Sequence, residues 1–85
     1  MDIFFAPQAM EDLRHWQKTR NEPVLARIRA LLASIQATPY SGIGKPEALR
    51  YKLSGCWSRR ITREHRLVYR VNDNRIEVLS LRLHY

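Results

Sequence analysis

Residues 45–69 read KPEALRYKLSGCWSRRITREHRLVY. Seven of the chain's fifteen Lys and Arg residues fall in these 25 positions, interleaved with Tyr51, Trp57 and Tyr69, and the acids among them are Glu47 and Glu64. Beta-branched and aromatic residues run through the stretch, so the bases are expected on strands rather than on a disordered tail. A stiff cationic sheet that carries aromatics suits a polyanion better than a small neutral ligand. An acid set among bases also suits chemistry on a phosphodiester, where cations hold the phosphate and a carboxylate moves a proton.

Working outward, residues 49–53 read as one strand closed by Ser54-Gly55, residues 57–62 as a second and residues 65–71 as a third. Asn72-Asp73-Asn74 is a hairpin turn, and a last strand runs from Arg75 to about Leu83. Connections this short imply antiparallel pairing. Upstream, residues 38–46 hold two prolines and two glycines and read as a loop. Two helical stripes precede it. Ala9, Leu13 and Trp16 recur at helical spacing between about Gln8 and Arg20, with Glu11 and Asp12 expected in the first turn and Lys18 and Arg20 in the last. Val24, Ile28, Leu31, Leu32 and Ile35 form the second stripe, started by Asn21-Glu22-Pro23 and ending near Ala37. Residues 2–6, DIFFA, read as a buried strand stopped by Pro7. The expected class is α+β: a strand, a two-helix hairpin, then an antiparallel sheet with helices on one face. Residues 1–85 form one small domain with a modest core.

Charge separates along the chain. The formal net charge is +7, of which residues 45–85 carry +6. The bland explanation is a solvated basic surface; the concentration in one half favours a binding face. A single cysteine, Cys56, excludes an internal disulfide and fits a reducing cytoplasm. No apolar run approaches a membrane span and Met1-Asp2 begins no secretory signal, so a cytoplasmic location without membrane contact is expected.

Strand alternation assigns the faces. Leu79, Leu81 and Leu83 are expected on the helix-covered side, with Ser80, Arg82 and His84 opposite. Leu67, Tyr69 and Val71 share the covered side of the preceding strand, which leaves Arg66, Val68 and Arg70 on the open side with Arg59 or Arg60 nearby. A single bulge would shift these assignments. On that face Glu47, beside Lys45 and Arg50, is the candidate general base; a surface salt bridge is the competing explanation. His84 is the candidate acid, since histidine changes charge near neutral pH. Arg66 is the candidate stabiliser of a pentavalent phosphate. The histidines show no metal-ligand spacing, so neither a metal nor another cofactor is expected. Trp16 and Trp57 read as core or subunit-contact residues, and Cys56 as a small apolar filler.

The run GKPEALRYKLSGCWSRRITREHRLVY with the terminal LHY, together with HWQKT in the first helix and TPYSGIGKPE before the sheet, resembles the YoeB (Txe) toxins of bacterial toxin–antitoxin pairs, within the RelE/ParE superfamily. The likeness spans essentially the whole chain. It implies a RelE-like, compact microbial-ribonuclease-like fold and a ribosome-dependent endoribonuclease that cuts mRNA in the decoding site. It further implies a cognate YefM-like antitoxin and a homodimer. On matching positions it assigns Glu47 as base, Arg66 as transition-state stabiliser, His84 as acid beside Tyr85, and Arg50 and Arg60 as basic helpers; Lys45 and Arg59 complete the expected phosphate-binding set. The chain departs from the family pattern in having Arg50 where lysine is common, Leu83 where an aromatic is common and Cys56 in place of a bulkier apolar residue. Two other functions remain open at this stage: a non-catalytic toxin of the ParE type that acts on DNA gyrase, and a plain RNA-binding module. Neither needs an acid–base pair.

Overall fold

The computed structural model describes residues 1–82. Its elements are β1 (Asp2–Phe5), α1 (Pro7–Lys18), α2 (Glu22–Ala37), β2 (Glu47–Ala48), a 3-10 turn (Tyr51–Leu53), β3 (Trp57–Arg60), β4 (Arg66–Asn72) and β5 (Arg75–Ser80). The strands form one mixed sheet in the order β1-β5-β4-β3-β2. Neighbours from β2 through β5 pair antiparallel, as the short connections require, whereas β1 pairs parallel with β5.

The helices begin where local chemistry starts them. Pro7 occupies the first turn of α1, where its missing N–H costs nothing. Asn21 caps α2 by accepting a hydrogen bond from the Val24 N–H. Val24, Ile28, Leu31 and Ile35 are the buried residues of α2, at the spacing that gives one face. They pack with Ala9 and Trp16 of α1 on Leu67 and Tyr69 of β4 and Ile76 and Val78 of β5. At the β4–β5 hairpin Asp73 and Asn74 both have positive φ, the backbone of a two-residue turn that follows the strand twist.

Four expectations need correction. First, β1 is an edge strand whose side chains alternate between exposed and half-buried, not a buried one. Second, the strand expected over residues 49–53 does not form. Pairing ends after Ala48, and the chain turns through Tyr51–Leu53 with Tyr51 at φ 59° and Gly55 at φ 92°. Third, a bulge shifts the register between β4 and β5, so that Val68 pairs with Ser80 but Tyr69 with Val78. The core residues of this stretch are therefore Ile76, Val78 and Leu81, and Leu79 is only half-buried. Fourth, the first turn of α1 holds no acid. Asp12 lies one turn further on, is buried, and has a different role, described below.

Candidate functional site

Alternation along β3 decides which of two adjacent arginines can meet a ligand. Trp57 pairs with Tyr69 and Arg59 with Leu67, both core positions, so Arg59 points to the helix side. Ser58 and Arg60 point the other way. Arg60 stands directly opposite Arg66. Facing like charges on neighbouring strands cost roughly 0.2–1 kcal/mol. Among the described residues the single ion pair is Arg70 with Glu77 at 3.1 Å, so no carboxylate offsets this one. Two arginines on facing positions of one sheet face suit an anion.

Glu47 joins them through the register. It pairs with Ser58, so it stands on the face of Ser58 and Arg60, on the diagonal from Arg60 that long side chains span. Lys45 is held at the same end, because the Gly44 carbonyl accepts the Arg60 N–H at 2.7 Å. Lys45, Glu47 and Arg60 are exposed. Arg66 is half-buried and oriented by its Nη1, which donates to the carbonyls of Thr62 and Arg63 at 3.1 Å each. That anchors one guanidinium nitrogen on the turn before β4. Arg50 is exposed on the chain that leaves β2 and lines, with Glu47, Ala48, Leu49, Tyr51 and Leu53, a groove of about 420 Å³.

The structure thus brings Lys45, Glu47, Arg60 and Arg66 to one end of the open face, with Arg50 along the adjoining groove. It removes Arg59 from the phosphate-binding set. Arg59 is fully buried, and its guanidinium donates to the carbonyls of Thr38 and Ser41 at 2.8 Å each, Ile43 at 3.1 Å, the Ser34 hydroxyl at 2.7 Å and the Tyr69 hydroxyl at 3.2 Å. All five of its N–H donors are engaged. The loop of residues 38–46 wraps this cation closely. A Cβ at Gly42 would come within 2.4 Å of Ser34 Oγ, and one at Gly44 within 2.6 Å of a Leu31 methyl. Burial raises the Tyr69 phenol above its ordinary pKa, an effect that the Arg59 guanidinium partly opposes. His84 and Tyr85 lie outside the described residues.

Two features escaped the sequence. Asp12 Oδ2 accepts the buried Leu81 N–H at 2.9 Å, and the Trp16 indole N–H donates to the Leu81 carbonyl at 2.9 Å. Helix α1 thereby holds both backbone polar groups of a residue three positions before His84. The available signal was an acid on the apolar stripe: Asp12 falls three residues after Ala9 and four before Trp16. The second feature is the placement of Tyr51, which stands 91% exposed beside Glu47 on a turn rather than on a strand. The remaining histidines behave as packing residues, with the rings of His15 and His65 meeting Trp16 edge-on. Among the described residues no group of three His, Cys, Asp or Glu side chains is arranged to hold a metal ion.

Residues 5–85 match the sequence model of the YoeB-like toxin of bacterial type II toxin–antitoxin systems. Toxin YoeB of Mycobacterium bovis is 49% identical over 83 residues, covering 98% of this chain and 96% of the relative. A YoeB/ParE toxin from Agrobacterium tumefaciens, 40% identical, superposes over the full length of both chains with a TM-score of 0.96. The toxin of a YoeB–YefM complex from Staphylococcus aureus is 46% identical and covers 100% of this chain and 98% of its own, with a TM-score of 0.91. A structure of the YoeB dimer from the same organism, 45% identical with the same coverage, also gives a TM-score of 0.91. A matching family model across nearly the whole chain, relatives at 40–49% identity and a superimposable fold agree: the chain belongs to the YoeB-like toxins of bacterial type II toxin–antitoxin systems.

Proposed function

We propose that this toxin is a ribosome-dependent endoribonuclease that cleaves mRNA in the decoding site and so stops translation. The observation that carries the proposal is the facing pair Arg60 and Arg66 with Glu47 diagonal to Arg60 on the same open face. Glu47 takes the proton from a ribose 2′-OH. The freed oxygen attacks the adjacent phosphorus in line. Arg66 and Arg60, with Lys45 and Arg50 alongside, hold the non-bridging oxygens as negative charge builds. His84 protonates the departing 5′-oxygen, and Tyr85 positions the imidazole or the RNA. The products are a 2′,3′-cyclic phosphate and a 5′-hydroxyl. DNA lacks the nucleophile and is not cut. The ribosome supplies the in-line conformation of the message; orientation of this kind can lower a barrier by about 7–11 kcal/mol.

The partner reading follows the relatives. The Staphylococcus aureus toxin is known in a complex with YefM and as a dimer. By analogy a cognate YefM-like antitoxin neutralises this chain in the cytoplasm, its acidic or amphipathic segment meeting the basic face, and the toxin itself dimerises. The test is single-turnover cleavage on programmed ribosomes with mapping of the mRNA 3′ ends. Cyclic-phosphate ends at the decoding site, lost in Glu47→Gln and His84→Gln, are expected. Intact message together with inhibited gyrase would overturn the proposal in favour of a ParE-type poison, and intact message that is merely bound would mark an RNA-binding module.

A further inference from the structure

Tyr51 has no part in the chemistry above, and its conformation is costly. Its ring is 91% exposed, the most exposed large hydrophobic side chain among the described residues. Its backbone sits at φ 59°, a region that a bulky residue rarely occupies and then at a cost in strain. The segment around it is well tied. Leu49 N–H donates to the Cys56 carbonyl at 2.9 Å, Leu53 N–H to Arg50 at 3.1 Å, Ser54 N–H to Tyr51 at 3.0 Å and Cys56 N–H to Leu53 at 2.9 Å. The ring is therefore held out by a fixed turn rather than left out by a loose one. Its position is specific too. Tyr51 lines the same groove of about 420 Å³ as Glu47, with Leu49 and Leu53 as apolar walls and Arg50 as the cation. Grooves that hold small planar ligands run from roughly 300 to 1,000 Å³.

We propose that this groove is a nucleobase subsite, in which the Tyr51 ring stacks on a base flanking the scissile phosphate that Arg50 helps to hold. The inference rests on the ribonuclease reading of Glu47 and extends it. A flat aromatic face is sequence-tolerant, because every base has a π-face to offer, and it would fix the ribose whose 2′-OH Glu47 must reach.

The test is single-turnover cleavage on programmed ribosomes by wild type, Glu47→Gln, Tyr51→Gly, Tyr51→Phe and Tyr51→Leu. Glycine tolerates positive φ, so Tyr51→Gly should melt at or a few degrees above wild type, which separates chemistry from folding. Its kcat/KM should fall by about 5–150-fold, the factor that corresponds to about 1–3 kcal/mol of base–aromatic stacking at 1.4 kcal/mol per decade. Tyr51→Phe should retain most of the rate, and Tyr51→Leu, apolar but without a π-face, should not. Messages with an abasic nucleotide on either side of the scissile phosphate complete a double-mutant cycle: at one of the two positions, wild type should drop to the Tyr51→Gly level and Tyr51→Gly should not change further. Wild-type cleavage by Tyr51→Gly, or additive losses at both abasic positions, would overturn the subsite. So would cleavage that stays intact while antitoxin binding weakens, since Tyr51 would then be a protein contact. In each of those cases Glu47→Gln still abolishes cleavage; if wild type itself does not cleave, the ribonuclease reading fails with it.

Discussion

Replacing Arg59 by lysine keeps the charge and changes only the shape of the donor, which makes it a sharp probe of what this arginine does. The guanidinium meets five acceptors: the hydroxyls of Tyr69 and Ser34 and the carbonyls of Thr38, Ser41 and Ile43. Hydrogen bonds to a charged group contribute about 1.5–3 kcal/mol each. Summed singly they would reach about 8–15 kcal/mol, comparable with the whole stability of a domain of this size, so the network must be treated as a unit. Lysine offers three donors from one point and cannot span both ends of this fork, so at least two acceptors lose their partner. A cost of about 2–3 kcal/mol follows, and at 4–8 °C per kcal/mol for a small domain the melting temperature should fall by roughly 8–24 °C. Arg59→Ala leaves all five acceptors without this partner and should cost more than Arg59→Lys. The adjacent Arg60→Lys, on an exposed side chain, should move stability within about ±0.5 kcal/mol. Thermal melts followed by circular dichroism, with cleavage measured well below the transition, separate these outcomes. Should Arg59→Lys melt within a few degrees of wild type yet lose cleavage, Arg59 would be a phosphate ligand after all, and its burial beneath the loop would be the wrong account of the molecule.

Glu47→Gln should leave the melting temperature unchanged and slow single-turnover cleavage by roughly 10²–10⁴-fold, read on programmed ribosomes. Asp12→Ala leaves the buried Leu81 N–H without its acceptor and should cost about 1–3 kcal/mol, read from urea denaturation at constant m-value. Tyr69 has its pKa raised by burial, so above pH 10 the unfolded chain releases this proton more readily than the folded one, and stability should fall as pH rises past 10. Denaturant titrations from pH 8 upward should show a flatter alkaline limb in Tyr69→Phe. Ribosome affinity should weaken as salt rises, with a smaller log–log slope in Arg60→Ala than in wild type, because one phosphate contact is gone.

What the sequence made legible follows from the range of the interactions involved. Helices α1 and α2 declare themselves through apolar spacing and prolines, and the β4–β5 hairpin through Asp73-Asn74, because each of these signals is local. The parallel pairing of β1 with β5 joins segments more than seventy residues apart and leaves no local trace; the apolar run of DIFFA reads the same at the edge of a sheet as at its centre. The bulge between Val68 and Tyr69 shifts parity in the middle of a pattern of alternating leucines, so Leu79 seems to belong to the core until the register is seen. Arg59 and Arg60 cannot be told apart by type. Trp57 separates them, since once its ring is placed against the core the alternation sends Arg59 inward and Arg60 outward.

The two interactions that composition could not reveal explain how so small a sheet presents its site. Glu47 stands on a strand of two residues, too short to be fixed by its own ladder. What fixes it is the preceding loop, and that loop is folded around the Arg59 guanidinium, which binds three of its carbonyls, and tied to Arg60 through the Gly44 carbonyl. The same strand therefore carries an inward arginine that shapes the loop leading to the base and an outward arginine that shares the anion site with it. At the other side of the sheet, Asp12 and Trp16 hold both polar groups of Leu81, the last buried residue among those described, three positions before His84 in the sequence. A buried arginine with only neutral acceptors is expensive to desolvate, and a nonpolar residue of similar volume would often serve stability as well. Its presence is understandable if what it supplies is a defined course for residues 38–46, and with it a defined position for Glu47. On this account a hydrophobic replacement such as Arg59→Met could be partly repaired in stability by repacking, yet would not recover cleavage, because no apolar side chain can direct three carbonyls at once.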